Sequence, residues 1–229
     1  MPRHIGIVAC SAEGAALCYR TICAEAPARL GPHTHPEISM HTPPLAEYVS
    51  ALDAADLDAV ARLMQRSAEI LAGAGADFLI CPDNTIHQAM DLVRPKSPLP
   101  WLHIANVTLA EASRQGLTTL AILGTASLVR SDLYPEAARQ RGLTAICPSD
   151  KVIREVDRII FEELVPGHVD PASRKAVSGY IRELEAQGCD GVVLGCTELP
   201  LLIDQEDSSI LILDTTRLLA RAALDKALD

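Results

Sequence analysis

Two short segments carry residue types suited to proton transfer. Gly195-Cys196-Thr197-Glu198-Leu199-Pro200 reads as a strand, a tight turn and a helix start. A thiol at a helix N-terminus has its thiolate stabilised by unpaired backbone N–H groups and by the helix dipole. Cys196 is therefore a candidate acid–base group, with Glu198 beside it as a candidate proton partner. Pro82-Asp83-Asn84-Thr85-Ile86-His87 is a second element of the same kind. There Asn84 and Thr85 offer donors to a carboxylate, alongside the backbone N–H groups of a helix start. Asp83 fits either an acid–base role or an N-cap, which Asp fills well. His87 fits either a proton partner or a structural first-turn histidine. Ser11 and Thr125 close two further strands with hydroxyls placed to bind an anion.

Other chemistries lack their residues. His33-Thr34-His35 is a loop pair among prolines, and no Cys/His cluster has zinc spacing. There is no Gly-x-Gly-x-x-Gly, no phosphate-binding Gly-x-x-x-x-Gly-Lys and no Gly-x-Ser-x-Gly elbow. Neither a metal nor an organic cofactor is expected.

The elements that must hold these residues alternate along the chain. Strands are expected at Ile5–Ala9, Glu37–Met40, Asp77–Cys81, Trp101–Ile104, Thr119–Leu123, Thr144–Cys147, Gly191–Leu194 and Ile210–Leu213. Apolar residues recur at three- and four-residue spacing over Leu57–Ala72, which marks a helix. Further helices are expected around Ala12–Cys23, Thr108–Gln115, Asp132–Gln140, Val152–Glu163, Pro171–Ala186 and Thr215–Leu228. Such alternation implies an α/β fold with parallel sheets covered on both faces. The 229 residues are 48% hydrophobic with only two Phe, one Trp and four Tyr, so the core is built from Leu, Val, Ile and Ala. Thirty acidic against 20 basic residues give a formal charge of −10, which argues against nucleic acid or an acidic membrane as partner. No apolar run reaches the roughly 20 residues of a membrane span. The N-terminus lacks a signal-peptide layout, and seven cysteines without a regular ladder fit reduced thiols. A cytoplasmic protein is expected.

An internal repeat organises these elements. Leu71, Gly75, Asp77 and Asp83 precede Leu184, Gly188, Asp190 and Cys196 by one constant separation, 113 positions. Cys10-Ser11 and Gly124-Thr125 both end a strand at a similar separation. Duplication implies two α/β lobes, 1–105 with the C-terminal helix 215–229 and 106–214, related by a pseudo-twofold axis. Ligands of parallel sheets sit beyond the carboxyl ends of the strands. Asp83 and Cys196 are thereby expected to address one cleft between the lobes.

At these two strand ends the sequence resembles the aspartate/glutamate racemase superfamily. Gly195-Cys196-Thr197-Glu198-Leu199-Pro200 is similar to the family's second signature. Asp83-Asn84-Thr85-Ile86-His87 is similar to the first, which has Cys-Asn-Thr in place of Asp-Asn-Thr. Leu123-Gly124-Thr125 through Tyr134 and Asp214-Thr215 extend the likeness over essentially the whole chain. The resemblance implies two α/β lobes, an interlobe active site, frequent homodimers, no cofactor and a two-base inversion at the carbon next to a carboxylate. It implies Cys196 as the second catalytic cysteine, and Asn84, Thr85, Thr125 and Thr197 as carboxylate binders, with Ser11 as a further one. It also places Asp83 where the first catalytic cysteine stands. A free aspartate, near pKa 3.9, is a far weaker base than a thiolate from a thiol near 8.5; parity needs a carboxyl that holds its proton through burial or a neighbouring carboxylate. Cys81 does not replace it, lying roughly 6–7 Å deeper in the strand. The segment Met40 to Tyr48 lacks the arginine, and Leu164-Val165-Pro166-Gly167 the lysine, that aspartate-selective members carry.

Three functions follow. The first is a racemase or epimerase of an amino acid, with Cys196 and Asp83 as an unequal base pair. The second is a one-cysteine relative, a decarboxylase resembling arylmalonate decarboxylase or a non-racemising isomerase, in which Cys196 protonates one face of an enediolate-like intermediate. The third is a ligand-binding homologue without turnover. In each the partner is a small carboxylate or amino acid.

Overall fold

A computed structural model describes residues 1–229. It contains seven strands: β1 (Ile5–Val8), β2 (Ile38–His41), β3 (Phe78–Ile80), β4 (Thr119–Leu123), β5 (Thr144–Ile146), β6 (Gly191–Leu194) and β7 (Leu211–Asp214). The chain divides into two units, Met1–Val107 with Thr216–Asp229, and Thr108–Thr215. Each holds one parallel sheet, in the order β2-β1-β3 for the first and β5-β4-β6-β7 for the second. The fold is α/β.

The central strands β1 and β6 are buried along their whole length. In the first unit, Ile5, Ile7, Phe78 and Ile80 meet Cys18 and Ile22 of helix Ala12–Glu25 and Leu219, Ala220 and Ala223 of helix Thr215–Leu228. Val8, Leu79 and Cys81 meet helix Leu57–Gly73 through Val60, Met64, Ala68 and Leu71. A strand with helices on both faces has no polar side, which is why these runs are continuous rather than alternating.

The repeated residues occupy equivalent positions in the two sheets. Asp77, just before β3, accepts the His4 N–H at 2.7 Å and donates its own N–H to the His4 carbonyl at 2.8 Å. Asp190, just before β6, accepts from the Thr118 N–H (2.7 Å) and the Thr119 N–H (3.0 Å), and its N–H returns to the Thr119 carbonyl at 2.9 Å. Both aspartates thus fasten the amino-terminal end of the first strand of their unit. Burial works against the charged form at Asp190, but the Thr118 and Thr119 donors outweigh it and hold the carboxyl below its usual range. Gly75 and Gly188, at φ +90° and +96°, end the helices Leu57–Gly73 and Pro171–Ala186 in the left-handed conformation that a helix C-terminus favours.

Several expectations change. Trp101–Ile104 is not a strand: Trp101 makes one parallel bridge to Leu79, and Ile104 already opens the helix Ile104–Arg114. The Pro100 carbonyl accepts the Leu79 N–H at 2.8 Å, but Pro98 and Pro100 have no N–H with which to extend a ladder. The helix expected over Val152–Glu163 runs from Asp150 to Arg158 and then widens into a π-helical stretch, Ile159–Leu164. Helix Leu45–Asp53, directly after Pro43-Pro44, was not expected. No helix is long and apolar enough to cross a membrane.

Candidate active site

In the second unit the site grows from two glycines. The register that pairs Leu123 with Leu194 sets Gly124 level with Gly195 and Thr125 level with Cys196. The Gly195 N–H donates to the Leu123 carbonyl at 2.7 Å. A Cβ on Gly195 would run into Leu128, and one on Gly124 would come within 2.9 Å of the same side chain. Only glycine lets the two strand ends close beneath helix Ala126–Val129.

Thr125 caps that helix, its Oγ1 accepting the Leu128 N–H at 3.3 Å, while Asp157 accepts the Ala126 N–H at 2.7 Å. Ser11 plays the same part in the first unit, accepting the Gly14 N–H at 3.2 Å. The Cys196 thiol donates to Glu198 Oε2 at 2.9 Å, and the Thr197 hydroxyl donates to the same oxygen at 2.7 Å. Cys196 is 8% and Glu198 4% exposed, so thiol and carboxylate meet almost out of water. The helix expected to begin at the thiol starts at Leu199 and spans four residues. Its dipole acts within one turn; the thiol donates instead to a carboxylate able to take its hydrogen.

In the first unit, Asp83 follows the buried Cys81-Pro82 and is itself partly exposed. Its Oδ1 accepts the Ile86 N–H at 3.1 Å, tying down the first turn of the short 3-10 helix Thr85–Ala89 from one residue before its N-cap, Asn84. Asn84 is buried and Thr85 half-buried at this turn. His87 Nδ1 donates to the Asp83 carbonyl at 2.6 Å, and its Nε2 accepts the Ile104 N–H at 3.4 Å. A carbonyl only accepts, so Nδ1 carries the proton and the ring is neutral. Burial, then the neighbouring His103, lower His87 to a pKa of about 3 against the opposing pull of the Asp83 carbonyl. The two imidazoles meet edge to face, 4.7 Å between centroids. His103 is lowered to about 4 by burial and by Arg94, with Asp91 opposing. Cys81 is pushed well above the usual thiol range by burial and by the Asp83 charge.

Ser11 and Asp83 thus share the carboxyl end of the first sheet; Thr125, Cys196, Thr197 and Glu198 share that of the second. The sequence did not reveal Tyr48, which is fully buried in one cluster with Cys10, Cys81 and Ile86. Its helix turns Leu45, Tyr48, Ala51 and Leu52 into this cluster, and the fold brings that face to this strand end. No three His, Cys, Asp or Glu side chains converge as a metal site.

Two parallel α/β sheets with a thiol at the end of one strand define a class, and the comparisons place the chain in it. The family model for Asp/Glu/hydantoin racemases matches residues 5–223, and the chain belongs to that family. A candidate Asp/Glu racemase from Yersinia pestis superposes with a TM-score of 0.91 at 33% identity, covering 99% of this chain and 100% of that one. Glutamate racemase of Pseudomonas entomophila is 30% identical over 161 residues, 65% of this chain. The broad specificity amino-acid racemase RacX of Bacillus subtilis is 25% identical over 169 residues, 74% of this chain and 73% of that protein. The chain spans little more than half, 56%, of the Pseudomonas enzyme. These relatives support a racemase-type function, an isomerase in broad class.

Proposed function

We propose that this protein inverts the α-carbon of an amino acid without a cofactor, with Cys196 and Asp83 as its two proton-transfer groups. The observation that carries the reading is the Cys196 thiol hydrogen resting on Glu198 Oε2 at 2.9 Å. Transfer of that hydrogen to the carboxylate leaves a thiolate. The thiolate removes the α-hydrogen as a proton, and the electron pair stays on the substrate as an enediolate-like carbanion. A protonated Asp83 carboxyl then delivers a proton to the opposite face and becomes a carboxylate; in the reverse direction the two groups exchange tasks. No enzyme–substrate bond forms, so nothing but the proton changes hands.

The other residues position the substrate. Asn84, Thr85, Thr125 and Ser11 supply side-chain donors for its carboxylate, which spread the charge that develops on deprotonation; Thr197, whose hydroxyl hydrogen rests on Glu198, joins them through its main-chain N–H. His87 holds the Asp83 backbone in place, since both its ring nitrogens are engaged with main chain. The acceptable substrates are small amino acids, and a homodimer is the working assembly.

Proton NMR in D2O with a panel of D- and L-amino acids and substituted malonates tests the reading. Loss of an α-proton signal together with the opposite enantiomer is the expected result, and Cys196→Ala abolishes both. Carbon dioxide release from a malonate, with deuterium on one face, would move the protein to the one-cysteine decarboxylases. Turnover unchanged in Cys196→Ala would overturn the proposal.

A further inference from the structure

The second unit carries an acidic side chain that its own fold leaves half used. Helix Asp150–Arg158 follows β5 and packs on helix Ala126–Val129, and its π-helical continuation packs on helix Leu199–Leu202. Those two short helices follow β4 and β6, so the longer one lies across the carboxyl ends of both strands. It is held there by Val152, Val156, Ile159 and Ile160, which face the core. Asp157 interrupts that apolar company. It is partly buried, and its Oδ1 accepts the Ala126 N–H at 2.7 Å. No donor of the chain engages Oδ2, which is open to solvent. Arg158, the next residue, does not neutralise the charge, being spent on Glu155, Glu162 and Glu163. A carboxylate pinned through one oxygen, with the other presented and unpaired, is a prepared acceptor for a charged donor.

We propose that Asp157 receives the α-ammonium group of the substrate, so that the site selects amino acids against carboxylic acids lacking the amine. The inference rests on the reading of Thr125 and Cys196 as groups that face the substrate. The strand register sets Thr125 level with Cys196 on the neighbouring strand, about 5 Å away. Asp157 is hydrogen-bonded to the residue directly after Thr125. In an α-amino acid the carboxylate and the ammonium share one carbon, so their partners must also be neighbours, as Thr125 and Asp157 are. The bond to Ala126 has a second effect. It takes that N–H away from any bound anion and sets a negative charge beside it, which repels a carboxylate that brings no cation. A zwitterion supplies the compensating charge itself, and its ammonium makes a hydrogen bond assisted by charge on both sides.

The test compares amino acids with their amine-free counterparts: L-alanine with propionate, L-glutamate with glutarate, and L-lysine with 6-aminohexanoate. Kd values are measured by NMR titration of the intact protein and of Asp157→Asn. Asparagine keeps an acceptor for the Ala126 N–H and loses only the charge. In the intact protein at least one amino acid is expected to bind about tenfold or more tightly than its amine-free counterpart. In Asp157→Asn that advantage is expected to disappear through weaker binding of the amino acid, with the amine-free acid bound no more weakly than before. An advantage that survives the substitution overturns the proposal. So does a loss shared equally by both ligands, which would make Asp157 a prop for the turn and nothing more. An intact protein that shows no preference for the amine overturns it without any variant. Failure of α-proton exchange in D2O, with the amine preference present and lost in Asp157→Asn, would sink the racemase reading and uphold Asp157 as the ammonium partner.

Discussion

The Cys196 thiol and the Thr197 hydroxyl place their hydrogens on one oxygen, Glu198 Oε2, at 2.9 and 2.7 Å. Two donors on one buried acceptor fix the carboxylate's rotamer and aim it at the thiol, so the proton acceptor is in place before any substrate arrives. A thiol next to a full negative charge is not activated as a thiolate at rest. Its hydrogen has a destination, however, and proton removal from carbon can begin from the thiol–carboxylate pair.

Glu198→Gln keeps an acceptor for both donors but cannot take a proton. Its folding is expected to be unchanged, with kcat for α-proton exchange reduced by about a hundredfold and KM within about twofold. Exchange of the substrate α-proton in D2O, followed by NMR, measures this directly. A loss confined to KM would assign Glu198 to binding.

Asp83→Cys restores the cysteine that the family carries at this position. If Asp83 stands in for a base, the variant gains racemisation of an ordinary acidic amino acid, detected by chiral chromatography. A folded variant with no such gain would show that the rest of the site has been respecialised.

Gly195→Ala drives a methyl into Leu128 and lifts the turn that carries Cys196. The expected cost is about 1–3 kcal/mol in urea unfolding, with activity falling further than stability because the thiol leaves Glu198. Leu128→Ala is destabilising by itself, but the double variant should cost less than the two singles combined, since the clash is gone. Strict additivity would mean that Leu128 is not the obstacle.

The buried histidines make folding sensitive to acid. Both have folded pKa values, about 3 for His87 and about 4 for His103, below the unfolded value. The unfolded chain therefore binds protons first, and stability falls as the pH drops from about 6.5 towards these values. The loss is on the order of 1–2 kcal/mol for each histidine by about pH 5. His87→Gln should flatten that slope in urea titrations at two pH values; an unaltered slope would mean that the ring takes up its proton equally in the folded and unfolded chain.

Much of this molecule was legible in its sequence. The amphipathic run over Leu57–Gly73, the continuous apolar strands and the Gly-x-Asp repeats are local patterns, and local patterns decide where helices and parallel strands form. The seven strands fall within a residue or two of their expected positions for that reason, and Asp77 and Asp190 repeat because each fastens its own first strand. Chemical candidates such as Cys196 and Asn84 were also legible, since their residue types and turn positions are local facts. Trp101–Ile104 was misread because its pairing with β3 stops after one bridge, Trp101 to Leu79, before Ile104 begins a helix. Only the tertiary structure decided the partners: Glu198 rather than a helix dipole for Cys196, main chain on both nitrogens of His87, and the sealed phenol of Tyr48 beside Cys10 and Cys81. Those outcomes depend on rotamers and on the packing of segments remote in sequence, where burial and hydrogen-bond direction select among contacts that composition leaves equally open.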